Sequence, residues 1–199
     1  VMADDRFTFN SAGQVHELEL AMARAGEWNA TLVKRMCEGD RLVHIREYLL
    51  DLAEIKYPEH IIDCDADPFV PDGWQVEEHQ KSGSFKWNPE SVCFYLSKFQ
   101  RKDEVIVGNK LRQELSGKPV LNANVLDYLM AHPHLIPEEW KKDEHGRTSY
   151  IFFWGTIYRD RGDDLSVRCL CWCDGRWHWN CFWLDGGWGG VNPAALRAS

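Results

Sequence analysis

An Asp-Gly pair, Asp174-Gly175, separates two runs of β-branched and aromatic residues, Leu165 to Cys173 and Arg176 to Leu184. A type I′ turn requires positive φ at both central residues, and Asp-Gly accepts that conformation with little strain. The pair predicts a hairpin in which Cys173 faces Arg176, and pairing then runs outward, changing sides at every step. One face carries Cys173, Cys171 opposite His178, Cys169 opposite Asn180, Val167 opposite Phe182, and Leu165 opposite Leu184. The other carries Trp172 opposite Trp177, Leu170 opposite Trp179, Arg168 opposite Cys181, and Ser166 opposite Trp183. Upstream, Tyr150 to Tyr158 and the turn residues Asp160 to Asp164 supply a further strand, so residues 149–184 read as a three-stranded antiparallel meander. That strand is expected to add Tyr150, Phe152, Trp154 and Tyr158 to the first face and Ile151, Phe153 and Ile157 to the second.

Neither predicted face is polar, whereas a sheet with one solvated side alternates apolar and polar residues. Both faces need cover. Helices of the chain can supply one layer, and the other must come from the rest of the chain, a second copy or a partner. Trp, Tyr and Arg concentrate at interface hot spots, which makes Trp172, Trp177, Trp179, Trp183 and Arg168 a candidate partner-binding surface. The same indoles could stack on sugar rings or nucleobases. Trp188 joins them as a candidate, because Asp185-Gly-Gly-Trp-Gly-Gly190 cannot hold a regular strand and either tucks Trp188 into the sheet or presents it.

The chain has 199 residues, 44% of them hydrophobic, which is enough for one substantial core or two small ones. A formal net charge of -8 opposes general polyanion binding, since phosphate neutralisation needs a concentrated basic surface. No run approaches the length of a membrane span, and residues 1–6 have neither a basic nor an apolar leader character, so a cytoplasmic protein is expected. Seven cysteines are an odd number, and Cys169, Cys171 and Cys173 point the same way along one strand; reduced thiols fit that location.

Residues 1–57 read as a three-helix unit. Ser11 and Gln14 form a capping box ahead of Val15, Leu18, Met22 and Ala25; Asn29 caps a helix with Leu32, Val33 and Met36; Asp40 caps a third with Leu42, Ile45, Leu49 and Leu52. The spacing is similar to a helix-turn-helix, with Arg41, His44 and Arg46 where such folds contact bases and phosphates, so DNA binding is an alternative reading. A solvated basic edge on a plain helical subdomain explains the same residues.

Residues 58–199 read as an α+β domain. Its Pro-, Gly- and Asp-rich opening contains Asp63, Asp65 and Asp67, three alternating carboxylates that could gather a hard cation for a hydrolase, or else bond nearby backbone amides in a turn. An EF-hand loop from Asp63 would want glycine at position 68 and glutamate at position 74, where Pro68 and Trp74 stand. Trp74 to Val76 and Ser84 to Trp87 suggest a strand pair. Helices are expected after Asn88-Pro89, with Val92, Tyr95, Leu96 and Phe99 inward; from about Glu104 to Leu115; and after Asn122 or Asn124, with Leu126, Leu129 and Met130 inward until Pro133. His132 and His134 follow that helix end, where imidazoles are commonly inert surface groups. Cys169, Cys171, Cys173 and His178 offer zinc its ligand types, but Cys-x-Cys along a strand lacks the knuckle spacing of structural sites, and core filling is the simpler reading.

The blocks Asp63-x-Asp-x-Asp-Pro-Phe-Val-Pro, Pro119-Val-Leu-Asn-Ala-Asn-Val-Leu-Asp-Tyr-Leu, Leu135-Ile-Pro-Glu-Glu-Trp-Lys and Ile151-Phe-Phe-Trp-Gly-Thr-Ile-Tyr-Arg-Asp resemble a group of uncharacterised bacterial proteins. The resemblance spans most of the chain and implies no activity. No nucleophile elbow, P-loop or His-Glu-x-x-His is present. The expectation is therefore a non-enzymatic binding or regulatory protein without a cofactor, whose Trp-rich sheet face meets a protein partner or a second copy.

Overall fold

The computed structural model describes residues 12–26, 28–53, 59–102 and 104–198. Contacts divide them into two units, one reaching to residue 53 and one starting at residue 59. The first unit holds α1 (Ala12–Arg24), α2 (Ala30–Met36) and α3 (Arg41–Leu49). Asn29 caps α2, its Oδ1 accepting from the amides of Thr31 and Leu32 at 3.0 and 3.1 Å. Asp40 precedes α3 but makes no side-chain cap bond, because its φ of -90° and ψ of 12° are not the extended conformation of a capping residue. The Ser11 end of the expected capping box lies outside the described residues. Three helices are present, yet no residue among 12–53 whose burial is described is buried; Leu18, Leu32, Leu42 and Ile45, the apolar residues that recur at helical spacing, are exposed.

The second unit is α+β. Its elements are β1 (Ile61–Asp63), β2 (Gln75–His79), β3 (Ser84–Lys86), β4 (Val92–Tyr95), β5 (Ile106–Val107), α4 (Gly108–Leu115), α5 (Ala123–Ala131), β6 (Tyr150–Phe152), β7 (Thr156–Arg159), β8 (Leu165–Cys173), β9 (Arg176–Trp183), β10 (Gly187–Trp188) and β11 (Ala194–Arg197). The main sheet has seven strands: β2, β7, β8, β6, β11 and β4 in that order, with β9 also paired to β8. The β8–β9 hairpin has the expected register, from Cys173 opposite Arg176 to Ser166 opposite Trp183. Asp174 and Gly175 supply the two positive φ angles, 50° and 74°.

The first strand of the meander is not continuous. It breaks at Trp154-Gly155 into β6 and β7, both lying along the edge of β8 that β9 leaves free. From the Phe152–Cys169 pair to the Tyr158–Ser166 pair the upstream chain takes six steps and β8 takes three. An odd excess swaps the faces. Tyr158 therefore joins Arg168 on the second face and Ile157 joins the first, the reverse of the uninterrupted strand. Gly155 is required at the break, because a Cβ there would lie 2.8 Å from the Cβ of Asn122.

Two further expectations fail for local reasons. Gln75–His79 pairs with β7 rather than with Ser84–Lys86, which instead pairs with β1. Asn88 does cap a turn, its Oδ1 accepting from the Glu90 amide at 3.1 Å, but the 3-10 turn stops at Ser91 and Val92–Tyr95 continues as a strand. The β-branched and aromatic Val-Cys-Phe-Tyr favours a strand, and in the folded chain it makes a four-pair ladder with β11. The next helix is shorter than expected, with Val107 exposed on β5 and Leu111 and Leu115 buried. Asn122 caps α5 as its sequence implies, through the Asn124 amide.

The chain covers both faces of the meander itself. On the first face Phe152, Trp154, Ile157, Val167, Cys169 and Leu184 pack beneath Leu111 and Leu115 of α4 with Ile106, Val120 and Trp188. On the second, Ile151, Phe153, Leu170 and Trp177 pack beneath Val125, Leu126 and Leu129 of α5, with Ile62, Phe85, Trp87 and Trp140 alongside. No helix among the described residues is long and apolar enough to cross a membrane.

Candidate functional site

β9 is the outer strand on its side of the sheet, and its outer edge pairs with no other strand among the described residues. In an antiparallel hairpin alternate residues turn their backbone groups toward the partner strand and away from it. Leu184 N–H donates to Leu165 O at 2.8 Å, which fixes the inward set and leaves Trp177, Trp179, Cys181 and Trp183 facing outward. The Cys181 amide is met by the neighbouring Asn180 Oδ1 at 2.8 Å, as an outward donor would be. The Trp183 carbonyl accepts from the Gly186 amide at 3.1 Å and from the Trp188 indole at 3.3 Å.

The side chains of the same outward set lie on the second face. Trp179 is 39% exposed and Trp183 60%, and Phe69, 54% exposed, sits edge-on to Trp179 with ring centroids 6.4 Å apart. Beneath them lies Arg168, 1% exposed. Its two terminal nitrogens donate to Asp127 of α5 at 3.1 and 2.7 Å, a two-pronged ion pair. The guanidinium centre is 4.5 Å from the Trp179 ring centroid, 5.2 Å from that of Phe69 and 5.9 Å from that of Tyr158. Tyr158 donates to the Phe69 carbonyl at 3.0 Å; burial pushes its phenol up, and Arg168 pulls it partly back. The Nε of Arg168 and the Oγ of Ser166, two residues apart on one face of β8, are buried without partners.

This arrangement gives a firm aromatic ledge beside a free strand edge. A planar cation neutralised by Asp127 carries Trp179 and Phe69, so the rings are held without losing their outer surfaces. No activated nucleophile stands here. Burial pushes the Cys181 thiol up, Asp160 adds to that, and a protonated thiol is unreactive.

Of the sequence-derived surface, Trp179 and Trp183 are accessible. Arg168 and Trp177 are buried, and Trp172 is partly covered by Lys141, whose Nζ is 3.6 Å from its ring centroid. Trp188 is fully buried, so the glycine-rich segment tucks it inward; contrary to the expectation that no strand forms there, Gly187–Trp188 makes the short strand β10 against β5. Asp127, Tyr158 and Phe69 were not singled out. The signal for Asp127 is a lone carboxylate within the apolar Val125-Leu126-Asp127-Tyr128-Leu129, opposite a lone arginine in an apolar strand.

The remaining candidates lie elsewhere. Arg41 donates to the Arg35 carbonyl at 2.6 Å and pairs with Glu38, and His44 lies 3.5 Å from Glu47; Arg46, in the last turn of α3, is also exposed. Asp63 accepts from the Asp65 amide and Asp65 from the Gly83 amide, the local turn bonding of such residues, while Asp67 is exposed. Cys169 is buried, Cys171 and Cys173 sulfurs are 3.5 Å apart, and His178 accepts from Arg176 Nε at 3.0 Å. His132 and His134 meet His60, with ring centroids 5.9 to 6.3 Å apart. Among the described residues no group of three His, Cys, Asp or Glu side chains is arranged to hold a metal ion. Compared with family models, curated proteins and solved structures, the chain matches none, so no activity passes to these residues from a relative.

Proposed function

We propose that the chain is a binding module, not a catalyst, that takes an extended segment of a protein partner along β9. The observation that carries this reading is the outer edge of an eight-residue strand, which pairs with no other strand among the described residues and is closed locally only at the Cys181 amide and the Trp183 carbonyl, beside exposed Trp179 and Trp183. An added strand gains main-chain hydrogen bonds from the edge and side-chain contacts from alternate positions. Proteins usually shield such an edge with lysine, proline or a covering loop. On β9 the outward positions are Trp177, Trp179, Cys181 and Trp183 instead.

Panning a random peptide library against the protein tests the reading. Enrichment of alternating apolar sequences, whose binding is lost in a Trp179→Lys/Trp183→Lys variant, is the expected outcome. Light scattering across a dilution series on the same sample identifies the occupant. A dimer abolished by the double substitution makes the segment β9 of a second copy. A monomer that enriches no edge-dependent peptide overturns the proposal.

A further inference from the structure

On the first-face side of the sheet, away from β9, a cleft of about 630 Å³ opens between β2, α4 and the turn that follows α4. Small-ligand pockets commonly measure about 300 to 1,000 Å³. Four neutral polar side chains line it, Gln80, Asn109, Gln113 and Ser116, with an apolar wall that includes Leu115 and Ile157. Its one cation and one anion, Arg112 and Glu78, are ion-paired with each other. The lining thus offers hydrogen-bond donors, acceptors and apolar surface with no uncompensated charge.

Two observations mark this cleft as more than a surface irregularity. Trp154, 5% exposed, lines it, and its indole N–H is buried without an acceptor. An indole N–H left unpaired in a protein interior forfeits the hydrogen bond it made to water, and such groups normally find partners. The second is a register shift in β2 between Val76 and Glu78, where a strand inserts an extra residue opposite β7. The shift sets Glu78 opposite Ile157, and both residues line the cleft beside Arg112. Bulges of this kind re-aim side chains next to binding sites.

We infer that this cleft binds a small uncharged hydroxyl-rich ligand of saccharide type, and that the Trp154 side chain shifts on binding so that its indole N–H, closed off in the free protein, donates to a ligand oxygen. The side-chain amides of Gln80 and Gln113 can each donate and accept, which suits hydroxyl groups that do both, while Asn109 already gives one amide hydrogen to Asp185 at 2.6 Å and offers its oxygen and its second hydrogen. The C–H face of a sugar ring suits Leu115 and Ile157. An anionic ligand would have to break the Arg112–Glu78 pair and leave Glu78 facing it.

Saturation-transfer difference NMR tests the site with glucose, galactose, mannose and N-acetylglucosamine, and with adenosine and uridine as uncharged competitors carrying a base. Transfer to at least one saccharide is expected, weakened at least tenfold in affinity by Trp154→Phe and by Gln113→Leu and unchanged by Trp183→Lys on β9. Gln113→Leu alters a side chain on the outside of α4, so it reports on the site even where Trp154→Phe disturbs the core. Absence of transfer to every saccharide overturns the assignment. So does transfer that survives both substitutions, or transfer to the nucleosides alone.

Discussion

Asp127 on α5 reaches the β-sheet through Arg168, meeting both terminal guanidinium nitrogens at 2.7 and 3.1 Å while the arginine is almost wholly removed from water. The buried guanidinium is tolerated because of Asp127, whose own side chain keeps 29% of its surface exposed. Asp127→Ala is expected to cost about 3–5 kcal/mol by leaving a buried cation uncompensated, whereas Arg168→Met with Asp127→Leu costs much less. Urea unfolding of the three proteins checks the order. If the double variant proves the least stable, the pair contributes net attraction that outweighs its desolvation.

The tryptophans of β9 and its following loop separate by burial. Trp188→Ala removes a side chain buried against Phe152, Trp154 and Phe182, and a loss of about 3–5 kcal/mol is expected. Trp183→Lys changes stability by less than about 1 kcal/mol, since most of that ring faces solvent. Chemical denaturation of both variants against the parent protein measures the contrast.

Thiol reactivity follows the same division. Burial pushes the Cys169 thiol well up and, with Cys173 as a hydrogen-bonding neighbour, pushes Cys171 up to about 12. Cys37 and Cys93 are exposed. A brief iodoacetamide pulse at neutral pH followed by mass spectrometry is expected to modify Cys37 and Cys93 first, with Cys169 and Cys171 labelled only on unfolding. Early modification of Cys169 would contradict the packed first face.

Asp143 gives a pH dependence with a defined sign. Burial alone would raise its carboxyl, but hydrogen bonds from the Arg147 side chain and from the amides of Arg147 and His145 prevail and hold it below its ordinary 3.8. A carboxyl lowered by folding stabilises above its unfolded pKa, and that contribution disappears as pH falls through the folded value. The turn at residues 142–148 is therefore expected to exchange its amides faster, relative to the rest of the sheet, as pH drops below 3.8. Asp143→Asn should remove this acid sensitivity while loosening the turn at neutral pH.

Gly155→Ala is expected to destabilise by about 1–3 kcal/mol, the range for overfilling a packed site. Asn122 cannot simply withdraw, because its side chain donates to the carbonyls of Cys64 and Gln80 at 2.8 and 3.0 Å. Thermal unfolding of the variant, with Gly117→Ala as a comparison at a turn where nothing lies within 4 Å but φ is positive, separates crowding from backbone strain.

What could be read from the sequence was what local chemistry decides. Asp174-Gly175 specified a turn, the turn specified a register, and the register placed Arg168 and Trp179 on one face. Asn29 and Asn122 announced helices in the same way. The break at Gly155 was not legible, because the reason for it is Asn122, more than thirty residues upstream. The β4 strand was hidden likewise: Val92, Tyr95 and Phe99 fit a helical stripe, and only β11 turns Val92–Tyr95 into a ladder. Cover for the second sheet face was underestimated because α5, β1 and β3 had not been placed over it. Asp127 and Tyr158 were missed since one needs the helix docked and the other needs the face reversal.

β11 lies parallel to β6 on one side and antiparallel to β4 on the other, joining residues 92–95 to residue 152 through residues 194–197. On a ribosome this ordering has a cost in time. The β8–β9 hairpin can close as soon as residue 183 is free, but β4 has no strand to pair with until residues 194–197 have cleared the exit tunnel. Val92–Tyr95 thus waits through about a hundred residues of synthesis, several seconds or more, as an unpaired β-prone segment for which a chaperone is the natural companion.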